Sequence, residues 1–135
     1  MLSPSGRCMI KAISFNKTVL KVLLENNLHK EIDLGATIWD VLYINECIIV
    51  LLRSKELSGT ENHNRNIICL NEEGKIVWRV ANPDLQSLSK SRTPYAFTGI
   101  SLKGEDKIEA FKSDCYLVDI DIKTGKFIGE WTFTK

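Results

Sequence analysis

One recurring pattern restricts the fold of this chain more than any other feature. A short apolar run ends in a polar residue, a glycine-containing turn and a lysine follow, and a second apolar run carries a tryptophan. The pattern reads ICLNEEGKIVW from Ile68 to Trp78 and LVDIDIKTGKFIGEW from Leu117 to Trp131. Two such hairpins at this spacing predict a repeat architecture built from short antiparallel strands.

The composition agrees with strands. Ile, Val and Thr together supply 30 of the 135 residues and Ala only 5, and β-branched side chains pack well on pleated sheets but lose freedom in helices. We predict one domain over residues 1–135, with strands in three groups at roughly 7–35, 37–80 and 95–134. Tight turns between neighbouring strands make each group an up-and-down meander, of three, four and four strands respectively.

The pattern of apolar residues predicts the order in which these meanders stack. Every residue of Cys47–Leu52 is apolar, as expected for a strand covered on both faces, whereas Ile108–Lys112 alternates, as expected for a strand with one wet face. The sequence therefore predicts an all-β fold, about half of a β-propeller, in which three antiparallel blades stack without closing a ring. Trp39, Trp78 and Trp131 are expected to pack between blades.

The net charge and the length of the apolar runs argue against several classes of protein. The net charge of +1 argues against a nucleic-acid binder, and the longest apolar run is far shorter than the roughly 20 residues of a membrane span. The start of the chain has no signal-peptide pattern, so a cytoplasmic location is expected. No two of Cys8, Cys47, Cys69 and Cys115 are closely spaced. We expect reduced, mostly buried thiols, with a two-disulfide secreted domain or a zinc site as the alternatives.

No catalytic motif is visible. His29 and His63 are the only histidines, and no nucleotide-binding, zinc-protease or nucleophile-elbow pattern occurs. Asp119 and Asp121 share one strand face, which is typical of a solvated surface rather than a metal site. We therefore predict a protein that is not an enzyme and holds no cofactor or metal. A small hydrolase that uses His63 and the acids of its loop is a third-ranked hypothesis.

The turn Ile120-Asp121-Ile122-Lys123-Thr124-Gly125-Lys126 resembles the blade repeat of quinoprotein-type β-propellers, and Leu70–Trp78 matches it with one residue fewer. The last 100 residues or so also resemble small single-domain bacterial proteins, through Asn66–Arg79, Pro94–Ile100 and Phe133–Lys135. Those proteins resemble immunity proteins of contact-dependent growth inhibition and related polymorphic toxin systems. The resemblance implies a non-enzymatic protein that binds one cognate toxin domain, often a nuclease, and blocks it. It does not imply a quinone cofactor.

An immunity protein needs a docking surface, and the loops at the rims of the blades are the natural candidates. Acidic residues there could meet a basic nuclease cleft, and tyrosines are common interface anchors. The candidate partner-binding residues are Glu56, Glu61, Asp84, Tyr95, Glu105, Asp106, Asp114 and Tyr116. We expect a 1:1 complex with the toxin domain and no contact with nucleic acid or membrane. The alternative function is an oligomeric scaffold in which a homodimer completes a propeller.

Overall fold

The computed structural model describes residues 10–56, 65–81, 96–113 and 115–134. The strands are β1 (Ile10–Asn16), β2 (Val19–Leu24), β3 (His29–Asp33), β4 (Ile38–Ile44), β5 (Cys47–Leu52), β6 (Ile67–Leu70), β7 (Ile76–Arg79), β8 (Phe97–Leu102), β9 (Lys107–Lys112), β10 (Tyr116–Asp121) and β11 (Phe127–Phe133). A 3-10 turn, Ser54–Glu56, follows β5. The described part of the chain contains no helix of the length and hydropathy that crossing a membrane would require.

The strands form three antiparallel sheets. The first sheet has the order β1-β2-β3, the middle sheet β4-β5-β6-β7 and the third sheet β8-β9-β10-β11. Each is a meander in which neighbours in sequence are neighbours in the sheet, so the prediction of three, four and four strands is confirmed. Short turns explain this topology: Asn45 and Glu46 both have positive φ, of 51° and 65°, as a two-residue type I′ hairpin turn requires.

The middle sheet is covered on both faces. On β5, Ile49 and Leu51 belong to a core with residues of the third sheet, which we call core 1. Their neighbours Ile48, Val50 and Leu52 belong to a separate core with residues of the first sheet, which we call core 2. All five side chains are 0–1 % exposed. Because successive side chains of a strand point to opposite faces, only a sheet buried on both sides can bury all five.

Polar contacts fix the stacking of the middle and third sheets. The buried Asn66 amide donates to the carbonyls of Leu52 and Phe97, both at 2.8 Å, and accepts from the Phe97 N–H at 3.0 Å. The indole N–H of Trp78 donates to the Ile122 carbonyl at 2.7 Å. The bonds to Phe97 and Ile122 join side chains of the middle sheet to the backbone of the third, whereas the bond to Leu52 stays within the middle sheet. The register between the two sheets is therefore specified by directional contacts as well as by core 1.

The tryptophans show where the sequence interpretation was right and where it was wrong. Trp78 and Trp131 lie in core 1 as expected, and Trp131 stacks on Phe97 with centroids 6.4 Å apart. Trp39 is 44 % exposed, so its assignment to blade packing was wrong. The register shift between Ile38 and Asp40 places Trp39 in a bulge of β4, which takes its side chain out of the regular alternation.

The stack has two ends, at which the turns collect. One, which we call end A, carries the turns at 25–28, 45–46, 71–75, 103–106 and 122–126. Two contacts confirm the grouping: the Asn45 amide donates to the Glu105 carbonyl, and the Lys30 ammonium reaches the Glu73 carbonyl at 3.5 Å. The other end, end B, carries the remaining connections that the structure describes. There the Ile38 N–H donates to the Lys17 carbonyl at 2.8 Å.

The first sheet is a blade without its inner strand among the described residues. β4 and β8, the first strands of the two four-stranded sheets, contact each other and so mark the inner edge, and β8 also contacts β5. β1 also contacts β4. β4 and β8 both finish at end A, whereas β1 and β5 both finish at end B, so β1 runs opposite to β4 as β5 runs opposite to β8. The start of β4 also lies beside the end of β1 at end B. β1, β2 and β3 therefore occupy the places of the second, third and fourth strands of a blade.

Candidate functional site

End A brings together turns from neighbouring sheets around a small cleft. The cleft has a volume of about 280 Å³ and is lined by Asn45, Cys47, Glu105, Asp106, Ile122 and Lys123. Two hydrogen bonds hold its walls: the Asn45 amide donates to the Glu105 carbonyl, and the Ile122 N–H donates to the Asp106 carbonyl at 3.0 Å. These contacts use the backbone carbonyls of Glu105 and Asp106, and both residues are exposed.

Local sequence explains why these turns are well formed. The Asp121 carboxylate accepts the Lys123 N–H at 2.9 Å, and the Asp121 carbonyl accepts the Gly125 N–H at 2.8 Å. The Asn71 side chain likewise accepts from the N–H groups of Glu73 and Lys75, at 2.9 and 3.0 Å. Asp and Asn at the first position of a turn commonly make such bonds. The turn chemistry thus holds the charged residues of end A in fixed places.

The two ends differ in charge. The turns of end A carry six acidic residues and four lysines, and Glu72 among the acids is buried. The exposed acids of end A are Glu25, Glu46, Glu73, Glu105 and Asp106. One of the lysines, Lys103, is engaged on the outer face of the third sheet with Asp119 at 3.1 Å and Glu109 at 3.5 Å. The described connections of end B instead carry Lys17, Arg53 and Arg65 against Glu56.

Glu56, one of the predicted binding residues, lies at end B. Its carboxylate accepts from the N–H and the hydroxyl of Thr37, both at 2.9 Å, and lies 3.6 Å from the Arg53 guanidinium. The Thr37 hydrogen bonds, backbone first, lower the pKa of Glu56, and Arg53 adds to the effect. The carboxylate therefore ties the segment after β5 to the segment before β4.

Tyr116 also lies at end B, at the start of β10. Its side chain is half-buried against core 1, and its ring lies 5.3 Å from that of Phe133. The structure therefore separates the described candidates into Glu105 and Asp106 at end A and Glu56 and Tyr116 at end B. Glu61, Asp84, Tyr95 and Asp114 lie outside the described residues, as do His63 and Cys8. Their predicted roles stay predictions.

The two aspartates of β10 have different partners. Asp119 receives hydrogen bonds from Lys103, and Asp121 caps its own turn. The bond to Asp119, followed by the attraction of its charge, raises the pKa of Lys103. Over the ranges that the structure describes, no group of three or more His, Cys, Asp or Glu side chains could hold a metal ion.

The described cysteines are free thiols, and two of them lie within or against core 1. Cys69 is buried, and Cys47 is half-buried at the edge of the end A cleft. Burial, followed by the neighbouring Cys47, raises the pKa of Cys69 to about 12. The thiolate is the nucleophilic form of cysteine, so Cys69 is an unreactive core residue at neutral pH.

Glu105 and Asp106 are candidates from the sequence, whereas Asn45, Glu46 and Lys123 are not, although the structure places all three at the same end as the two acids. The signal that could have found them is the alternation of chain direction. In a meander, the first and third turns of every four-stranded blade lie at one end, which groups these residues without any knowledge of contacts.

Comparison with solved structures supports the propeller assignment. BamB from Moraxella catarrhalis, a β-propeller, matches 95 % of this chain at a TM-score of 0.57 and 17 % identity, and the match covers 34 % of BamB. The computationally designed Ika8 protein matches 93 % of this chain at a TM-score of 0.51 and 10 % identity, with 37 % of Ika8 covered. This chain thus spans about a third of the length of either structure. At these identities the likeness shows the fold alone.

Searches with the sequence give one family. No curated protein matches this chain. A family model described as "Domain of unknown function (DUF7957)" matches residues 10–131, from the first residue of β1 to the Trp131 that closes core 1. Since the match takes in every β-sheet of the fold, the chain belongs to the DUF7957 family.

Proposed function

We propose that this chain is a non-enzymatic immunity protein, which binds one cognate toxin domain in the cytoplasm and blocks its active site or substrate surface. The observation that carries the proposal is the set of exposed carboxylates at end A, which outnumber the lysines of its turns by one. Five exposed carboxylates there come from turns of all three sheets, and the structure of these turns is fixed by hydrogen bonds within the chain. A toxin that acts on RNA or DNA needs a basic surface for phosphates, which such carboxylates complement.

The size of the chain is compatible with this role. An inhibitor of a toxin present in few copies needs a Kd of about 1 nM or tighter, and a standard interface buries about 800 Å² on each partner. Turns held by hydrogen bonds lose little conformational freedom on binding, which favours affinity. We place Glu105 and Asp106 at the centre of the interface, because they border the cleft that joins the middle and third sheets.

We expect the toxin to be encoded beside this chain, and the test is co-expression of its toxin domain with this chain. We expect a stable 1:1 complex and loss of toxin activity. Glu105→Lys should weaken binding at least tenfold, because it places a lysine opposite a basic surface. Glu31→Lys on β3 is the matched control, since it makes the same charge change at an exposed position away from the end A cleft. Full toxin activity in the presence of the folded wild-type chain would refute the proposal.

A second candidate function, self-assembly into a larger propeller, is favoured by the outer face of the third sheet. The strand register places Phe111, Leu117 and Ile128 on that face. Ile128 is 39 % exposed, and the other two are half-exposed. Apolar side chains on an outer sheet face fit a further blade from a second copy. Light scattering distinguishes the functions, because assembly requires a dimer in the absence of any toxin.

A further inference from the structure

The inner edge of β1 carries a groove that the proposed function does not use. The groove has a volume of about 570 Å³ and is lined by residues 10–15 of β1 together with Val41 and Tyr43 of β4. In the described part of the chain β1 pairs only with β2, so its other edge faces the groove. In the middle and third sheets, the corresponding place beside β5 and β9 is filled by the inner strands β4 and β8.

Backbone and side chains in the groove are both suited to an added strand. Hydrogen-bonded and non-hydrogen-bonded pairs alternate along an antiparallel ladder. The Asn16–Val19 pair closes the β1–β2 hairpin and is a hydrogen-bonded pair, so Ile13 and Phe15 fall at non-hydrogen-bonded positions. Their backbone N–H groups therefore point away from β2, toward the groove. Phe15 and Tyr43 are 40 % and 36 % exposed there, which puts apolar surface beside backbone that pairs with no other described strand. Edge strands of this kind are templates for pairing with another chain.

We propose that this groove is an acceptor site for an extended strand of a partner protein, which completes the first blade as its inner strand. The bound segment would alternate, with apolar side chains facing Val41 and Tyr43. Lys11 is the charged residue in the lining of the groove, so an acidic residue in the bound segment would complement it. The site lies on the inner edge rather than on the end A turns, and it stands whether or not the chain inhibits a toxin.

The experiment uses the full chain and a synthetic peptide with the sequence of residues 96–107, AFTGISLKGEDK. This peptide contains β8, the inner strand of the third sheet, and carries acidic residues for Lys11. Amide hydrogen exchange followed by NMR should show fast exchange at Ile13 and Phe15 in the free protein. Saturating binding with a Kd at or below about 1 mM should slow the exchange of both amides.

Two N-methylated forms of the peptide supply the matched controls. One is methylated at the residues that correspond to Thr98, Ile100 and Leu102, and the other at Gly99, Ser101 and Lys103. Only alternate amides of a paired strand face its neighbour. One form should therefore bind at least about tenfold more weakly, while the other binds like the unmodified peptide.

Four results would overturn the proposal. Slow exchange of Ile13 and Phe15 in a free monomer would show that another part of this chain covers the edge, and slow exchange in a dimer would show that a second copy does. Failure of the unmodified peptide to bind at 1 mM would exclude an acceptor site. Equal binding of the two methylated forms would show apolar adhesion instead of strand pairing. None of these results depends on a toxin, so this proposal can fail without the proposed function.

Discussion

The contact between Gly125 and Trp78 offers a direct energetic test of how the third sheet packs on the middle one. Gly125 has a φ of +75°, and a Cβ added to it would lie 2.5 Å from Cε3 and 2.6 Å from Cδ2 of Trp78. The indole cannot move away easily, because it is buried and its N–H is bonded to the Ile122 carbonyl at 2.7 Å. Gly125→Ala should therefore be strongly destabilising.

Gly129 supplies the matched control. It has nearly the same φ, +73°, but a Cβ there would have no heavy atom within 4 Å. Either substitution lowers the free energy of unfolding by about 1–2 kcal/mol, because alanine is strained in the left-handed region. Gly125→Ala lowers the free energy of unfolding by about 1–3 kcal/mol more, because its added methyl group overpacks against Trp78. With a urea dependence of about 2 kcal/mol per molar, this difference lowers the unfolding midpoint of Gly125→Ala by about 0.5–1.5 M relative to Gly129→Ala. Equal midpoints for the two variants would refute the close packing of this turn on Trp78.

Three further predictions concern the stack and its polar ties. Ile48→Val and Ile49→Val should each lower the free energy of unfolding by about 0.5–1.5 kcal/mol, because the two side chains fill cores on opposite faces of the middle sheet. Ile76→Val, at a site 58 % exposed on β7, should change it by less than about 0.5 kcal/mol in the same urea titration. Asn66→Ala should be more costly, by about 2–5 kcal/mol, since it leaves three backbone partners at Leu52 and Phe97 without their hydrogen bonds; an Asn66→Ala midpoint equal to that of the wild type would contradict this. Glu56→Gln should destabilise the protein at pH 7. Because the folded pKa of Glu56 is lowered, its stabilising effect is present above the unfolded value of about 4.3 and is lost as the pH falls through the folded pKa. Stability curves of the Glu56→Gln variant and the wild type should therefore converge at low pH, and a constant difference down to pH 2 would exclude this assignment.

The layer order could be predicted from sequence because one strand signals it by itself. β5 carries apolar side chains on both of its faces, and only a sheet covered on both faces can bury such a strand. The turn positions could also be predicted, since Asn45, Gly74 and Gly125 adopt the positive φ values that their turns require. These features are local, so they can be predicted without knowing how the sheets pack on one another.

Bulges account for what the sequence did not predict. Trp39 lies in the irregular step between Ile38 and Asp40, where one residue has no partner and the alternation of faces shifts. β11 contains a longer irregularity: Leu117 pairs with Thr132 but Asp119 pairs with Ile128. This bulge brings Trp131 into core 1, where its ring lies 5.2 Å from the ammonium of the buried Lys112. The alternation within β9 predicted one wet face, but it did not predict that a lysine would lie on the buried face.

The candidate site was only partly predictable for a related reason. Glu105 and Asp106 could be found as exposed acids in a tight turn, whereas their association with Asn45 depends on how two sheets are stacked. Sequence patterns did not predict which edge of the first sheet lacks a partner strand among the described residues. Three consecutive strands can be the first three or the last three of a blade, and the direction of β1 relative to β4 decides between these possibilities.

The stacking of three sheets in one body is the claim on which the fold, the end A site and the strand-acceptor site all depend. A single NOE spectrum of the full chain tests both sheet interfaces. It should show contacts from the Gly74 Hα protons to the Ile32 δ-methyl, which join the first and middle sheets, and from the Gly125 Hα protons to the Trp78 ring, which join the middle and third. Both contacts are expected in a monomer. The loss of either one in the folded chain would contradict the three-sheet stack.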